Sequence, residues 1–169
     1  MIRVIGIDPG SVITGYGIVD SDGQRSLLVA HGHIRVEGDD LASRLGCVFQ
    51  RVGAVLQEWQ PQEMAIEDVF VSRNALSALK LGQARGAAVV AACQHRIPVA
   101  EYTPRRVKQA VVGNGGADKT QIQHMVGILL NTQERLQADA ADALAIALCH
   151  VHTRGRDPGL ARVLQRRRR

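Results

Sequence analysis

Four acidic side chains occupy positions where a solvated charge is not expected. Asp8 follows residues 2–7, a nearly continuous apolar run that is typical of a strand buried on both faces. Glu67 lies among apolar neighbours in a second short run, and Asp139 and Asp142 lie three residues apart in an alanine-rich helical stretch, so they share one helix face. A carboxylate in such surroundings is costly unless a positive charge meets it.

These acids point to metal-dependent chemistry if the fold brings them together. Carboxylate oxygens are hard ligands that suit Mg²⁺ and Mn²⁺, which also bind phosphate oxygens. Two carboxylates about 5 Å apart repel by roughly 3 kcal/mol at an effective dielectric of about 20, so a cluster of four needs shared protons or bound cations. A pair of divalent ions can activate a water and stabilise the leaving oxygen of a phosphodiester. No His or Cys cluster has the spacing of a zinc site.

Each acid also has a plainer explanation when it is considered alone. Asp8 is suited to cap the turn before Pro9-Gly10, since Asp bonds its own backbone in turns. Glu67 is equally explained as a solvated charge on an edge strand. The pair Asp139 and Asp142 fits an N-cap with a helper acid in the first helical turn. Only convergence of the four acids in space separates the catalytic interpretation from these.

The hydrophobic periodicity predicts the elements that must position these acids. Three strands joined as an antiparallel meander are followed by a helix, a strand, a helix, a strand and more helices. The predicted strands cover 2–7, 13–20, 26–36, 64–70 and 98–102, and the predicted helices cover 41–59, 74–94, 104–112, a segment from 118, and 139–151. A helix between two strands indicates a crossover, which would place Glu67 beside Asp8. The order predicts an α/β fold, a five-stranded mixed sheet flanked by helices on both faces.

Size and charge are consistent with a globular nucleic-acid-binding protein. The 169 residues are 46% hydrophobic, which suits one domain with a proper core. The formal charge of +5 suits a polyanionic partner such as nucleic acid. Part of that charge comes from Arg166 to Arg169. We therefore expect a folded domain over residues 1–152 and a basic, flexible tail over 153–169.

Cysteine usage and hydropathy favour the cytoplasm. The three cysteines, Cys47, Cys93 and Cys149, are scattered in apolar helical patterns, which predicts small core residues in a reducing compartment. Arg3 and Asp8 interrupt the opening apolar run, so no signal peptide is recognisable. No stretch is long and uncharged enough to span a bilayer, so no membrane partner is expected.

Five segments, in order along residues 2–150, resemble the RuvC family of bacterial Holliday-junction resolvases. They are Ile5–Ser11, Ala65–Phe70, Leu79–Gly86, Val107–Gly113 and Asp139–Ile146. The resemblance implies a ribonuclease H-like nuclease domain over residues 1–152 and a homodimer. It implies Mg²⁺-dependent incision of two strands of a four-way DNA junction in recombination and repair, leaving nicks that can be ligated. It also implies action beside the RuvA and RuvB branch-migration proteins.

The same resemblance assigns the site residues. The catalytic and metal-binding carboxylates of the family fall on Asp8, Glu67, Asp139 and Asp142, which would hold two Mg²⁺ per subunit, with Mn²⁺ able to substitute. Some relatives carry His where this chain has Asp139. The important basic residues of the family fall on Lys108 and Lys119. Asp68 stands where relatives often have another polar residue and receives no catalytic role.

Contacts to DNA are expected from an aromatic residue and from basic side chains. Phe70 follows the Glu67 strand and opens a polar loop, which favours either a wedge that stacks on bases or a core residue. The candidate phosphate contacts are Arg73, Lys80, Arg85, Arg105, Arg106, Lys108 and Lys119. The long helix over 76–92, with Gly82 and Gly86 one turn apart, is either the dimer interface or ordinary packing on the sheet.

Three other functions fit parts of the pattern. Residues 6–11 also resemble the first phosphate loop of actin-like proteins and sugar kinases, but those proteins need a second domain that 169 residues do not provide. A nuclease acting on RNA–DNA hybrids would share the fold and the acids. A junction-binding protein without activity would lack a reason for four intact carboxylates. Cleavage of a four-way junction, compared with a hybrid duplex, separates the last two from a resolvase.

Overall fold

The computed structural model describes residues 1–68, 74–133 and 136–154. Within them, five strands and five helices follow the predicted order. The strands are β1 (Ile2–Asp8), β2 (Ile13–Ser21), β3 (Ser26–Arg35), β4 (Glu63–Glu67) and β5 (Val99–Tyr102). The helices are α1 (Leu41–Trp59), α2 (Ala75–Gln94), α3 (Pro104–Val112), α4 (Lys119–Leu129) and α5 (Ala138–Thr153).

The five strands form one mixed sheet in the order β3-β2-β1-β4-β5. Strands β1, β2 and β3 pair antiparallel, as the predicted meander requires. Strand β4 lies parallel to β1 on its other side, and β5 continues in parallel beside β4. The parallel pairs follow from the helical crossovers α1 and α2, because a chain that returns in the same direction needs such a connection. The predicted sheet is therefore confirmed.

Alternation along β1 divides the core between two helical layers. Ile5 and Ile7 point to the layer of α1 and α2, where they join Val48 and Val52. Val4 points to the opposite layer, formed by α3, α4 and α5. Helices on both faces are thus confirmed. None of these helices, in the part of the chain that the structure describes, is long and apolar enough to cross a bilayer.

Helix α5 lies unusually close to the sheet because glycines face it. A Cβ atom added at Gly6 would lie 2.0 Å from the carbonyl oxygen of Ala143, and one at Gly17 would lie 2.6 Å from the Cγ of Leu144. The facing positions of α5 are largely alanines, so two small-residue surfaces meet. This close approach brings the acidic first turns of α5 onto β1 and β2.

Three details differ from the sequence-based prediction. Strand β4 ends at Glu67, whereas the prediction continued it to Phe70, and residues 69–73 lie outside the described part. The N-cap of α5 is Gln137, so Asp139 lies inside the first turn and is not the N-cap. Helix α5 also continues to Thr153, past the predicted helix end at residue 151, because its last turn still packs on the sheet. The rest of the predicted tail, residues 155–169, is not described.

The cysteines do not all belong to the core. Cys149 is buried in α5, and Cys47 is half-buried in α1. Cys93 is exposed, so the prediction that all three are core residues is wrong for this one. It lies one residue before the end of α2, next to the buried Ala91 and Ala92 that take up the core-facing positions of this turn.

Candidate active site

Two of the predicted acids end adjacent parallel strands. Asp8 is the last residue of β1 and Glu67 is the last residue of β4. The last paired residues of these strands are Ile7 and Ile66, so Asp8 and Glu67, which come next, lie side by side at the same edge of the sheet. This is the carboxyl edge of the parallel strands, where α/β folds commonly form their sites. The predicted adjacency of Asp8 and Glu67 is confirmed.

Helix α5 adds its two acids to the same edge. Asp8 pairs with Gly15 of β2, and a Cβ atom at Gly15 would lie 3.2 Å from the Cβ of Asp139 and 2.2 Å from its carbonyl oxygen. The first turn of α5 therefore lies directly over β2, next to β1. Asp142 follows one turn later and reaches the space between the strand ends. The four acids occupy one region of the molecule.

The strand ends and three helices enclose a cavity of about 260 Å³. Three of the acids line it, namely Asp8, Glu67 and Asp142. The predicted basic residues Lys108 of α3 and Lys119 of α4 line it as well. The remaining walls are apolar and consist of Pro104, Val107, Ile122 and Ala145. Asp139 is not part of the lining, although its charge acts on Asp8.

The electrostatics of this cavity disfavour full ionisation of the acids. Burial, followed by the charges of Glu67, Asp142 and Asp139, raises the pKa of Asp8 from 3.8 to about 7, and Lys119 opposes the rise. Burial and the charge of Asp142 also raise the pKa of Glu67, against Lys119 and Lys108. The cluster therefore has more negative charge than its two lysines offset.

Lys119 is the basic residue most directly engaged with the acids. Its Nζ lies 3.2 Å from Oδ2 of Asp142. Asp142, and then Asp8 and Asp139, raise the pKa of Lys119, so it remains charged. The Lys119 side chain is 77% exposed, so it stands at the mouth of the cavity, where it can meet an incoming anion.

The donor set suits a hard divalent cation. All four acids offer only carboxylate oxygens, which Mg²⁺ and Mn²⁺ prefer, and the raised pKa values of Asp8 and Glu67 report negative charge that a cation would offset. In residues 1–68, 74–133 and 136–154, no three His, Cys, Asp or Glu side chains stand close enough together to hold a metal ion as placed. The four acids thus share one region without forming a closed coordination shell.

The guanidinium of Arg85 is occupied within the chain. It donates from Nε to the backbone carbonyl of Glu67 at 3.2 Å, and its Nη2 pairs with Glu101. The same Nη2 lies 3.9 Å from Asp68. Arg85 therefore fixes the end of β4 from the side opposite the cavity, and its predicted phosphate contact has to compete with these acids.

The remaining predicted DNA contacts are distributed around the molecule. Lys80 lines a different cavity, between α1 and α2. The stem of Arg105 lies beside Gly115, whose added Cβ would lie 2.9 Å from the Arg105 Cγ. The guanidinium of Arg106 stands 5.1 Å from the ring centroid of Tyr102. Phe70 and Arg73 lie outside the described residues.

The sequence analysis missed a buried polar group at the far end of α5 from the cavity. His150 is fully buried, and its Nε2 lies 2.6 Å from Oε2 of Glu63, while its Nδ1 lies 2.8 Å from the Tyr102 hydroxyl. Arg154 donates to the same Glu63. A partial signal existed, because His150 lies in the apolar stretch of α5 and Glu63 directly precedes the apolar Met64-Ala65-Ile66. Nothing along the chain indicated that they face each other.

Comparison with known proteins identifies the group to which this architecture belongs. A family profile described as "Crossover junction endodeoxyribonuclease RuvC" matches residues 4–150. The chain belongs to the RuvC family. Its RuvC relative from Hahella chejuensis is 55% identical over 153 residues, covering 90% of this chain and 89% of the relative. The RuvC relative from Methylococcus capsulatus is 52% identical over 166 residues, covering 98% of this chain and all of the relative.

A solved RuvC structure supports the same conclusion for the fold. Thermus thermophilus RuvC, solved in complex with a Holliday junction substrate, superposes with a TM-score of 0.84 at 37% identity. The superposition covers 90% of this chain and 94% of that chain. The ribonuclease H-like fold expected from the RuvC resemblance is confirmed. Membership in the RuvC family also removes the nucleotide-binding alternative for residues 6–11.

Proposed function

We propose that this chain is a Mg²⁺-dependent endonuclease that resolves four-way DNA junctions in recombination and repair by symmetric incision of two strands. The observation that carries the proposal is the convergence of Asp8, Glu67 and Asp142 on one cavity with Lys108 and Lys119. Family membership gives that cavity its substrate class, since the curated relatives are named crossover junction endodeoxyribonucleases. Incision leaves nicks that can be ligated.

Asp8, Glu67, Asp139 and Asp142 would hold two Mg²⁺ ions, with Mn²⁺ able to substitute. When bound, such ions activate a water and offset the charge that develops on a phosphodiester. The chain supplies the placement: the two strand ends fix Asp8 and Glu67, and α5 fixes Asp139 and Asp142 over them. The apolar walls lower the local dielectric around the acids, which strengthens the charge interactions inside the cavity.

Lys119 and Lys108 bring positive charge to the scissile phosphate. Lys119 is exposed and charged at the mouth of the cavity, bound to Asp142. A phosphate that enters the cavity offers Lys119 a second anionic partner. Lys108 faces the same space from α3 and acts on Glu67. Both therefore serve the phosphate directly, whereas Lys80, Arg105 and Arg73 are proposed only to position the DNA backbone.

Two subunits would provide the two incisions. Helix α2 has an exposed apolar stripe formed by Leu76, Leu79 and Val90, and added Cβ atoms at Gly82 and Gly86 of the same face would meet nothing. Residues spaced in this way lie on one side of a helix. We propose this stripe as the isologous interface of a homodimer, because a two-fold dimer matches the approximate two-fold symmetry of a junction.

The resemblance to RuvC also supports two further assignments. We propose that the dimer acts in the cytoplasm and that it works on junctions held by the RuvA and RuvB proteins. Phe70 is proposed as the wedge that stacks on bases next to the cut, as its position after β4 suggests. Adding RuvA and RuvB to a cleavage assay tests the partnership, since a change in the rate of resolution is expected.

The decisive experiment measures cleavage of a synthetic four-way junction by the Asp8→Asn variant. We expect cleavage by the unchanged chain only when Mg²⁺ is present. The variant should bind the junction normally, but its cleavage rate should fall by more than ~100-fold, the upper end of the loss seen when an outer-shell partner of a metal site is removed. Asp68→Asn is the matched control, because Asp68 follows Glu67 but faces Arg85 instead of the cavity. Retained cutting by Asp8→Asn in Mg²⁺ would contradict the assignment.

Substrate class is tested in the same assay with an RNA–DNA hybrid duplex of equal length. We expect cutting of the junction and little cutting of the hybrid. Equal cutting of both would support a nuclease of the ribonuclease H type that is not selective for junctions. Binding of the junction without cutting in Mg²⁺ or Mn²⁺ would support an inactive junction-binding protein.

A further inference from the structure

A chain of hydrogen bonds runs through the buried interface between α5 and the sheet. The Tyr102 hydroxyl, at the end of β5, lies 2.8 Å from Nδ1 of His150 in α5. Nε2 of His150 lies 2.6 Å from Oε2 of Glu63, at the start of β4. Arg154, just after α5, closes the chain with a contact from its Nε to the same Oε2 at 3.1 Å. We call these four residues the α5 anchor.

Three residues of the α5 anchor are buried, Arg154 is partly exposed, and the polar atoms of the anchor have hydrogen-bond partners. Relative exposure is 0% for His150, 1% for Tyr102 and 3% for Glu63. Each ring nitrogen of His150 has a partner: the Tyr102 hydroxyl at Nδ1, and the Glu63 carboxylate, which accepts from Nε2–H. Burial raises the pKa of Glu63, but hydrogen bonds from His150 and Arg154 outweigh it and hold that pKa below its ordinary value. Glu63 is thus a carboxylate in the folded protein.

The α5 anchor lies at nearly the same distance from the active-site acids along β4 and along α5. Glu63 lies four residues before Glu67, or about 13 Å along an extended strand. His150 lies eight residues after Asp142, or about 12 Å along a helix. Helix α5 runs opposite to β4, so a contact at Glu63 and His150 places Asp142 beside Glu67 at the other end. Tyr102 is the register partner of Glu67 and comes two residues before α3, which carries Lys108.

We propose that the α5 anchor is a positioning network that sets the axial register of α5 against β4 and β5, and thereby holds Asp142 opposite Glu67 for cation binding. This inference rests on the function proposed above. The N-terminal end of α5 needs this restraint, because its Asp139 and Asp142 lie close to Asp8 and Glu67, and the like charges repel.

Apolar packing restrains this register only in part. Helix α5 lies over Gly6 and Gly15 with its backbone in close approach, and over Gly17 with the Leu144 side chain. A close backbone approach limits the distance between helix and sheet more than the axial position of the helix. Hydrogen bonds are directional and fix one position. A buried ion pair is also weak support for stability, since apolar residues of equal volume often serve as well, whereas fixing register is its best-attested use.

The test compares Tyr102→Phe with Ser26→Ala. Tyr102→Phe removes the hydroxyl and keeps the ring. Ser26→Ala removes a buried hydroxyl that bonds Ser21 in the hairpin between β2 and β3 and makes no hydrogen bond to the anchor residues. Mg²⁺ binding is measured by calorimetry on the full chain without DNA, and junction affinity is measured in EDTA. Single-turnover cleavage is then measured against Mg²⁺ concentration, with melting temperature as the measure of folding.

We expect Tyr102→Phe to weaken Mg²⁺ binding and to raise the half-saturating Mg²⁺ for cleavage by about ten-fold, the lower end of the roughly 10–100-fold range seen when groups that orient metal ligands are lost. Saturating Mg²⁺ should restore much of the cleavage rate, and junction affinity should not change. Ser26→Ala should shift none of these. If Tyr102→Phe does not fold, the same measurements are made on Arg154→Gln. Arg154 is at the partly exposed end of the anchor, so its replacement should raise the half-saturating Mg²⁺ by a smaller factor.

Equal Mg²⁺ dependence of the unchanged chain, Tyr102→Phe and Arg154→Gln would overturn the inference and leave the proposed function intact. A loss of melting temperature in Tyr102→Phe without any change in Mg²⁺ binding would overturn it in the same way, because the anchor would then serve stability only. An unchanged chain that neither binds Mg²⁺ nor cuts a junction would overturn the proposed function, and this inference with it.

Discussion

Asp8 shows how one residue can be costly to the fold and necessary to the site. It ends a strand whose other central positions are buried and apolar, and three more carboxylates act on it. Its pKa is raised to about 7, so much of the population carries a proton near neutral pH when no cation is bound. A divalent cation would favour the ionised form, which couples metal binding to proton release.

The raised pKa of Asp8 makes a prediction about stability. The folded chain holds the Asp8 proton up to about pH 7, whereas an unfolded chain releases it near pH 3.8, so stability falls as the pH rises between these values. Asp8→Asn removes this loss. In EDTA at pH 8 we expect the variant to be more stable by on the order of 2–4 kcal/mol, since one pKa unit corresponds to about 1.4 kcal/mol. The gain should vanish near pH 4.

Urea unfolding at pH 4, 6 and 8 measures this effect. Asp22→Asn is the control with the opposite sign, because hydrogen bonds from the backbone N–H groups of Arg25 and Gln24 lower the pKa of Asp22. That variant should lose stability at pH 8 and not at low pH. A gain for Asp8→Asn that is equal at pH 4 and pH 8 would show that its pKa is not raised in the folded chain.

At the scale of elements, the contact between α5 and the first two strands determines the site. The sheet offers glycines at Gly6, Gly15 and Gly17, and α5 offers mainly alanines, so their backbones approach closely. This contact places Asp139 over β2 and Asp142 between the strand ends. The glycines within residues 6–17 and the alanines within residues 138–147 therefore allow the close approach of α5 to the sheet, a role that is separate from the chemistry of the neighbouring acids.

Gly6→Ala tests this contact. The new methyl group would lie 2.0 Å from the Ala143 carbonyl oxygen and 2.7 Å from the Ala147 nitrogen. Both are backbone atoms of α5, so the clash can be relieved only if the helix itself moves. We expect a loss of about 1–3 kcal/mol or more, as for other overpacked cores. Cleavage should also fall, because α5 carries Asp142. Chemical denaturation gives the first quantity, and the junction assay gives the second.

Gly46→Ala is the matched control for this substitution. Gly46 lies within α1, and its added methyl group would meet nothing within 4 Å. Alanine is the better helix former, so a gain of up to about 1 kcal/mol is expected with unchanged cleavage. Equal stability of Gly6→Ala and the unchanged chain would mean that α5 is not held as closely as described.

At the scale of the whole molecule, the exposed stripe of α2 is the main unpaired apolar feature among the described helices. Leu76 is 70% exposed, Leu79 is 59% exposed and Val90 is 56% exposed, all on one helix face. The opposite face of α2 supplies Ala88, Ala91 and Ala92 to the core. The helix is thus apolar on two sides, which favours a protein partner on the outer side.

Leu79→Glu tests the proposed dimer. Two charges would be buried against each other across a two-fold axis, so we expect dissociation to monomers at micromolar concentration in analytical ultracentrifugation. Paired incision of the junction should then be lost before single nicking. Ile128→Glu is the control, because Ile128 is equally exposed at 57% but lies on α4. A Leu79→Glu variant that remains dimeric would place the interface elsewhere.

Local patterns along the chain were sufficient to predict most of the elements and the four acids. Periods of two and of 3.6 residues define the strands and helices, and a carboxylate at the end of an apolar run is visible without coordinates. Asp8, Glu67, Asp139 and Asp142 stood out in this way. The crossover rule was also enough to place β4 beside β1, since a helix between two strands constrains their direction.

Tertiary structure decided every relation between side chains far apart in the chain. Glu63 and Glu67 flank the same apolar segment, and His150 and Asp142 lie in the same helix, yet Glu63 and His150 are buried in the core whereas Glu67 and Asp142 face the cavity. Arg85 carries the same charge as Lys119, but it lies against Glu101 and the end of β4 instead of at the cavity mouth. A linear pattern reports the preference of a residue for burial. Its partner depends on which segments the packed helices bring together.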